Sequence, residues 1–166
     1  MTLIPFPHTD NIHTGTAQPE PWVLAGPFRA WLGHLVSATG LPWRVIALAA
    51  GVSTRTAGRI LRGETRKIRA CDGQALLAAR PADLLALGVT PTPAGSTTER
   101  ARHLVDAGVP PSRLADVVGL TDRQVAAILD GRTQTVSVLT ALAFVALLEV
   151  RDATLYTTAA GARAAA

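Results

Sequence analysis

The segment from Gly40 to Thr65 reads GLPWRVIALAAGVSTRTAGRILRGET and has a second copy further along the chain. It aligns without gaps on the segment from Gly108 to Thr133, which reads GVPPSRLADVVGLTDRQVAAILDGRT. Nine of the aligned positions are identical, far more than chance gives in a chain rich in Ala and Gly. The sequence therefore predicts an internal repeat of two similar units, each built around one copy.

Each copy meets the steric requirements of two short helices that cross at a steep angle through a tight turn. A small residue on the first helix permits the close crossing, and Ala47 and Ala115 supply it. Four positions later the turn requires a residue that tolerates positive φ, and Gly51 and Gly119 supply that. Because both copies satisfy these requirements at the same spacing, the sequence predicts a helix-turn-helix motif in each unit.

The whole chain is predicted to be an all-α protein in which the two helix-turn-helix units pack into one compact body. Residues 1–26, rich in Pro, Thr and His, are expected to form an N-terminal arm. The first unit spans residues 27–89 and the second spans residues 99–156. Residues 90–98, TPTPAGSTT, are predicted to be a linker, and the Ala-rich residues 157–166 a flexible tail.

Apolar periodicity and capping residues also predict the individual helices. In the first unit they lie at 27–38, 42–50 and 54–62, with Ser53 as an N-cap of the third, and residues 70–79 and 81–87 add one or two more. In the second unit they lie at 98–107, 111–118, 122–130 and 138–151, with Thr121 as an N-cap.

The N-terminal residues of the second helix of such a motif face the major groove of DNA. In the first unit the residues predicted to contact bases are Ser53, Thr54, Arg55, Thr56 and Arg59. An arginine that donates two hydrogen bonds to guanine discriminates by about 1–3 kcal/mol. Gly58, on the same helix, either permits close approach to the groove or is a tolerated defect. The cations predicted to contact phosphates are Arg44, Arg62, Arg66, Lys67 and Arg69.

The two units differ in net charge. Residues 28–80 contain nine basic and two acidic residues, whereas residues 97–166 contain seven of each. Since phosphate neutralisation supplies most non-specific affinity for DNA, we expect the first unit to bind DNA. The second unit is expected to be a weaker second reader or a dimerisation unit. Its residues that retain the capacity to read bases are Thr121, Arg123, Gln124 and Arg132.

Residues 50–63, AGVSTRTAGRILRG, resemble the helix-turn-helix of Lac-type and lambda-repressor-type transcriptional regulators. The motif is also similar in style to that of actinobacterial and phage regulators. The resemblance covers the two-helix motif of each unit and extends only weakly to the flanking helices. It implies a small transcriptional regulator that binds double-stranded DNA in a sequence-specific manner.

The sequence contains no motif for catalysis, cofactor binding or metal binding. It contains no nucleotide-binding glycine loop, nucleophile motif or spaced carboxylate pair, so we expect no enzyme, cofactor or metal site. No small-molecule ligand is predicted. The chain opens without a signal-peptide pattern, and its most apolar stretch, residues 136–150, is too short to span a bilayer. A cytoplasmic, nucleoid-associated protein without a membrane partner is therefore expected.

Two other functions remain open at this stage. The helix-turn-helix units are also suited to docking on proteins, which would make the chain a protein–protein adaptor. Within the DNA-binding class, a sequence-tolerant nucleoid-type protein is the alternative to a regulator. The predicted helix at 138–151 is apolar nearly all round, so it is either a core element or a surface for a homodimer.

Overall fold

A computed structural model describes the backbone of residues 21–164 and the side chains of residues 21–151. The described chain is mainly α-helical, with two small antiparallel sheets of two strands each. The prediction of a helical fold is thus confirmed at this level, but no strand was predicted. Most of the predicted N-terminal arm, residues 1–20, lies outside the described residues.

The first unit comprises β1 (Trp22–Leu24), α1 (Gly26–Thr39), α2 (Trp43–Ala49), α3 (Thr54–Arg62), β2 (Lys67–Arg69), α4 (Ala70–Ala78) and α5 (Pro81–Ala86). The second unit comprises β3 (Pro91–Pro93), α6 (Gly95–Asp106), α7 (Pro111–Val118), α8 (Asp122–Leu129), β4 (Thr135–Ser137) and α9 (Val138–Ala164). The order strand, three helices, strand, helix therefore occurs twice.

The turn between α2 and α3 has the predicted geometry. Gly51 adopts a φ of 73°, in the left-handed region that side chains with a Cβ disfavour. The N–H of Val52 then donates to the carbonyl of Ala47 at 2.9 Å, which ties the start of α3 back to α2. Ser53 caps α3 by accepting a hydrogen bond from the N–H of Thr56 at 3.1 Å. These local contacts explain why the helix boundaries were predictable.

The two strands of each unit pair across the ends of its three-helix segment. In the first ribbon, Val23 lies opposite Ile68, and the side chain of Ile68 is buried. Since side chains alternate along a strand, the neighbours of Ile68, Lys67 and Arg69, are exposed on the outer face. Trp22, opposite Arg69, is also exposed.

The second ribbon pairs β3 with β4. Residues 90–98, predicted to be a linker, thus contain β3 and the first turn of α6. Likewise, residues 22–26 of the predicted arm contain β1 and the start of α1. Three-residue strands carry too little alternation to be recognised from sequence, and their partners lie more than 40 residues away.

Each unit has its own buried cluster. The first is centred on Leu32, Leu35, Ile46, Ile60 and Leu76. The second is centred on Leu104, Leu114, Val125, Ile128 and Phe144. In the first unit α4 crosses α1 at Gly73, where a Cβ would lie only 2.7 Å from Cζ of Phe28, so the close approach depends on glycine.

The long helix α9 joins the two units. Pro81 prevents α4 from continuing, whereas α9 contains no proline and extends to Ala164. It packs on α2 of the first unit as well as on α6 and α7 of its own. Its N-terminal turn is also held by the first unit, because the N–H of Leu139 donates to the carbonyl of Leu87. Of residues 138–150, Phe144 and Ala146 are buried, Val150 is exposed and the others are half-buried.

The C-terminal end of α9 differs from the predicted boundaries. A helix was predicted to residue 151 and a flexible tail over 157–166, but the helical backbone continues to Ala164. Alanine has the highest helix propensity, and this segment is rich in it. Within residues 21–164, no helix combines the length and apolar character needed to cross a membrane.

The turn makes a prediction with an internal control. Gly51→Ala places a Cβ at positive φ, where nothing lies within 4 Å, so only backbone strain should act. We expect the free energy of unfolding to fall by about 1–2 kcal/mol. Gly33→Ala, inside α1 and equally free of neighbours, should instead raise it by about 0.5–1 kcal/mol. Urea unfolding followed by circular dichroism measures both, and equal effects of the same sign would contradict the assignment of the turn.

Candidate nucleic-acid interface

Five residues of α3 and its cap were predicted to contact bases, and the structure divides them. Ser53 and Thr56 engage each other, since the Ser53 hydroxyl donates to Oγ1 of Thr56 at 2.8 Å in addition to capping the helix. Arg55 and Arg59 extend from α3 as exposed side chains. The two arginines are thus the long cationic side chains that α3 offers to a partner near its start and middle.

Thr54, the first residue of α3, has an unexpected partner. Its hydroxyl donates to Oε2 of Glu149 on α9 at 2.6 Å, and the side chain is half-buried. A carboxylate is favourable at this position because the N-terminus of a helix carries a partial positive charge. As a result, an acidic side chain of the second unit lies at the end of α3 that was predicted to approach DNA.

Gly58 was expected either to permit close approach to the groove or to be a tolerated defect, but it packs against α2. It is buried, and a Cβ there would lie 3.1 Å from Cη2 of Trp43 and 3.0 Å from Nη1 of Arg62. The glycine therefore accommodates the indole of α2, which replaces both explanations drawn from sequence. The guanidinium carbon of Arg44 lies 4.3 Å from the centroid of the same indole and makes a cation–π contact with it.

Arg62, predicted to contact a phosphate, is paired within the chain. Its Nε and Nη2 donate to the two carboxylate oxygens of Glu64 at 2.5 and 3.0 Å. This bidentate hydrogen bonding raises the pKa of Arg62 and lowers the pKa of the Glu64 carboxyl. In the second unit the corresponding positions carry the reverse pair, in which Arg132 contacts Asp130 at 2.5 Å. Arg132, predicted as part of a second reader, is thus also paired.

A hollow of about 200 Å³ lies between α3 and the first ribbon, and we call it the first hollow. It is lined by Trp22, Thr56, Arg59, Thr65, Lys67, Ile68, Arg69 and Asp72. Among these described residues, three are cations and one is a carboxylate. Arg59 comes from the helix, whereas Lys67 and Arg69 come from β2, so the hollow gathers cations that are separate in sequence.

A second hollow, of about 410 Å³, occupies the same place between α8 and β4. It is lined by Gly88, Leu120, Gln124, Ala127, Ile128, Thr133, Thr135, Val136, Ser137 and Thr140. Seven of these stand 68 positions after seven residues of the first hollow. Of the described residues that line it, none is charged. The two hollows therefore share their walls and differ in electrostatics.

The remaining predicted residues differ in accessibility. Arg66 is exposed at the end of the first ribbon, where its carbonyl accepts the N–H of Ala25 at 2.9 Å. In the second unit, Thr121 and Gln124 form a capping box in which Oε1 of Gln124 accepts the Thr121 N–H at 2.8 Å. Arg123 is exposed. Among the residues predicted to form a second reader, Arg123 and Arg132 are the cations. Arg132 is paired with Asp130, so Arg123 is the one of the two better placed to contact a partner.

Sequence reasoning missed Trp22 and Glu149 as parts of this surface. A signal for the ribbon was present, because an Ala-Gly dipeptide spans the start of the first helix in both units, at Ala25 and at Ala94. In each unit the N–H of that alanine bonds to the carbonyl just before the second strand. No comparable signal indicated Glu149, whose contact joins residues 95 positions apart.

The chain has no match among protein-family models, curated proteins or solved structures. Within residues 21–151, whose side chains are described, no group of three or more His, Cys, Asp or Glu side chains is arranged to hold a metal ion. What the surface can do must therefore be inferred from its own residues.

The Arg62–Glu64 pair makes a prediction about pH. Because the folded-state pKa of Glu64 lies below its ordinary value of 4.5, the pair contributes stability above that value and loses it as pH falls through the folded pKa. Carbonyl ¹³C NMR titration should show the depressed pKa, and Arg62→Ala should return it toward 4.5. Arg55→Ala, which removes an exposed cation of the same helix that does not bond Glu64, should leave the pKa in place. An unchanged value in the Arg62 variant would contradict the pairing.

Proposed function

We propose that this chain is a sequence-specific binder of double-stranded DNA, built as a tandem repeat of two helix-turn-helix units, and that it acts as a small transcriptional regulator. The first unit would insert α3 into the major groove. One observation carries the proposal: exposed cations of α3 and β2 surround the first hollow, while the matching hollow of the second unit is uncharged. A surface shaped alike but charged on one unit alone is expected if that unit contacts phosphates.

Matching backbone hydrogen bonds support the tandem repeat. Val52 donates to Ala47 at 2.9 Å in the first turn, and Leu120 donates to Ala115 at 3.0 Å in the second. Gly51 and Gly119 have φ values of 73° and 71°. The ion pairs after α3 and α8 also occupy equivalent positions with opposite polarity. Such agreement is expected from two copies of one ancestral unit.

Base reading is proposed to rest chiefly on Arg55. It is the second residue of α3, and Ser53 and Thr56 hold the start of that helix by their mutual hydrogen bonds. An exposed arginine at this place can donate two hydrogen bonds to O6 and N7 of guanine. Its own backbone is fixed by the cap, so less conformational entropy is lost on binding.

The second unit is proposed to orient the first and to contact DNA weakly. Its helix α8 begins with Asp122, and the residues corresponding to Arg59 and Lys67 are Ala127 and Thr135. The apolar side of α9 packs on α2 and on its own unit, which favours an internal role over a homodimer surface. Arg123 remains as a weaker reading residue.

A matched pair of variants tests this division. Arg55→Ala and Arg123→Ala remove the same side chain from equivalent positions of α3 and α8. Fluorescence anisotropy is measured with a duplex selected on the protein and with random duplex, at two salt concentrations. We expect Arg55→Ala to reduce discrimination by about 1–3 kcal/mol, roughly 5- to 150-fold, and Arg123→Ala to have a smaller effect.

The other outcomes are equally informative. Equal losses in the two variants would make both units readers of a composite site. Wild-type binding that does not discriminate between the duplexes would favour a nucleoid-type protein. If the wild type shows no salt-sensitive binding to either duplex, the DNA-binding proposal is wrong and a protein–protein adaptor becomes the better explanation.

Glu149 provides a second test. Its carboxylate lies at the start of α3, where it would repel DNA phosphates, so Glu149→Gln should strengthen DNA binding. An electrostatic contribution of about 0.3–1 kcal/mol at a helix terminus corresponds to a roughly two- to fivefold gain. The same change should slightly lower the free energy of unfolding, because the favourable charge at the α3 N-terminus is lost. Glu99→Gln, an exposed change of equal charge on α6, is the control, and an equal gain there would show that only net charge matters.

A further inference from the structure

The first hollow brings together donors that the sequence keeps apart. Lys67 and Arg69 stand on either side of the buried Ile68, so the pleat directs both to the outer face of the ribbon. Arg59 reaches the same hollow from the middle of α3. Arg55, one helical turn earlier, does not line it. Arg55 and Arg59 therefore face different surfaces.

We propose that the first hollow binds one backbone phosphate of duplex DNA, so that Arg59 is a phosphate ligand and not a base reader, and the β1–β2 ribbon is a second DNA-contacting element. The inference rests on the proposed function and assigns a partner group to part of its surface. It also changes the role of Arg59 predicted from sequence, because position on the recognition helix alone had suggested base contact.

The polar groups of the hollow suit an anion. Oγ1 of Thr56 already accepts a hydrogen bond from Ser53, which leaves the Thr56 proton available for donation. Arg59 supplies a guanidinium and Lys67 an ammonium, both of which donate and neither of which accepts. Asp72 also lines the hollow, but Arg59 and Lys67 alone outnumber its one charge. A phosphate, which only accepts hydrogen bonds, matches this set.

The second hollow provides a natural comparison. Ala127, Thr135 and Ser137 occupy the positions of Arg59, Lys67 and Arg69, and the walls otherwise correspond. The cavity itself is therefore a consequence of packing the third helix against its ribbon. The cations of the first hollow are an addition to that scaffold, and packing does not require them, since Arg59, Lys67 and Arg69 are exposed. Their convergence is best explained by an anionic partner.

The test replaces two cations of the first hollow with the residues found at the same positions of the second. The double variant Arg59→Ala, Lys67→Thr is compared with wild type for binding to a random-sequence duplex, and log Kobs is plotted against log[salt]. Each lost phosphate contact lowers the slope by about 0.9, so the loss of one contact should decrease the slope by about 0.9. Arg80→Ala, an exposed arginine outside the hollow, controls for overall charge and should change the slope by much less. Thermal unfolding by circular dichroism checks that both variants fold.

Two further measurements compare selected with random duplex and titrate inorganic phosphate. With the selected duplex, Arg59→Ala alone should weaken binding to selected and random DNA by the same factor. If it abolishes discrimination while the salt slope stays constant, Arg59 reads a base and the inference is overturned. Inorganic phosphate alone is titrated as well. If it binds the hollow as tightly as duplex does, and the double variant loses only that binding, the hollow is a small-anion site and the inference is equally overturned.

The two proposals fail in different ways. Wild-type protein without salt-dependent DNA binding would refute the proposed function itself. Wild-type protein that binds DNA, with a folded double variant that keeps both affinity and slope, would refute only the phosphate site.

Discussion

The hydrogen bond from the N–H of Val52 to the carbonyl of Ala47 holds α3 against α2, and it forms only because Gly51 turns the chain through positive φ. With that crossing fixed, Ile46 and Ile60 meet in the first core, and the far end of α3 leads through Gly63 into β2. The pairing of β2 with β1 then closes the unit. Each later contact of the surface, including the first hollow, depends on this initial angle between two short helices.

The same scaffold is charged in one unit and nearly neutral in the other. Where the first hollow presents Arg59 and Lys67, the second presents Ala127 and Thr135. The reversed ion pairs, Arg62 with Glu64 and Arg132 with Asp130, show that a local charge interaction persists while its polarity is exchanged. Because such exposed pairs contribute little to stability, their polarity is free to vary. The two units thus have the same order of elements but different charge.

The helix α9 packs on both units. It is longer than α4, the helix at the same place in the first unit, and the absence of proline explains the difference in length. Pro81 prevents α4 from extending further, whereas α9 has no proline and packs on α2 of the first unit. Its Glu149 meets Thr54 at the start of α3. The second unit therefore acts on the first by packing along α2 and by placing a negative charge beside the helix that is proposed to enter DNA.

The sequence by itself determined the boundaries of α3 and α7, the turn glycines, the caps at Ser53 and Thr121 and the charge difference between the units. These depend on residues within a few positions of one another or on composition, so periodicity and spacing reveal them. Only the tertiary structure decided that the supposed linker contains a strand, that Gly58 faces Trp43, and that Arg59 shares a hollow with Lys67. It also decided the contact of Thr54 with Glu149, which spans 95 positions. Such pairings depend on how whole elements pack, and short strands and single polar contacts leave no periodic trace in the chain.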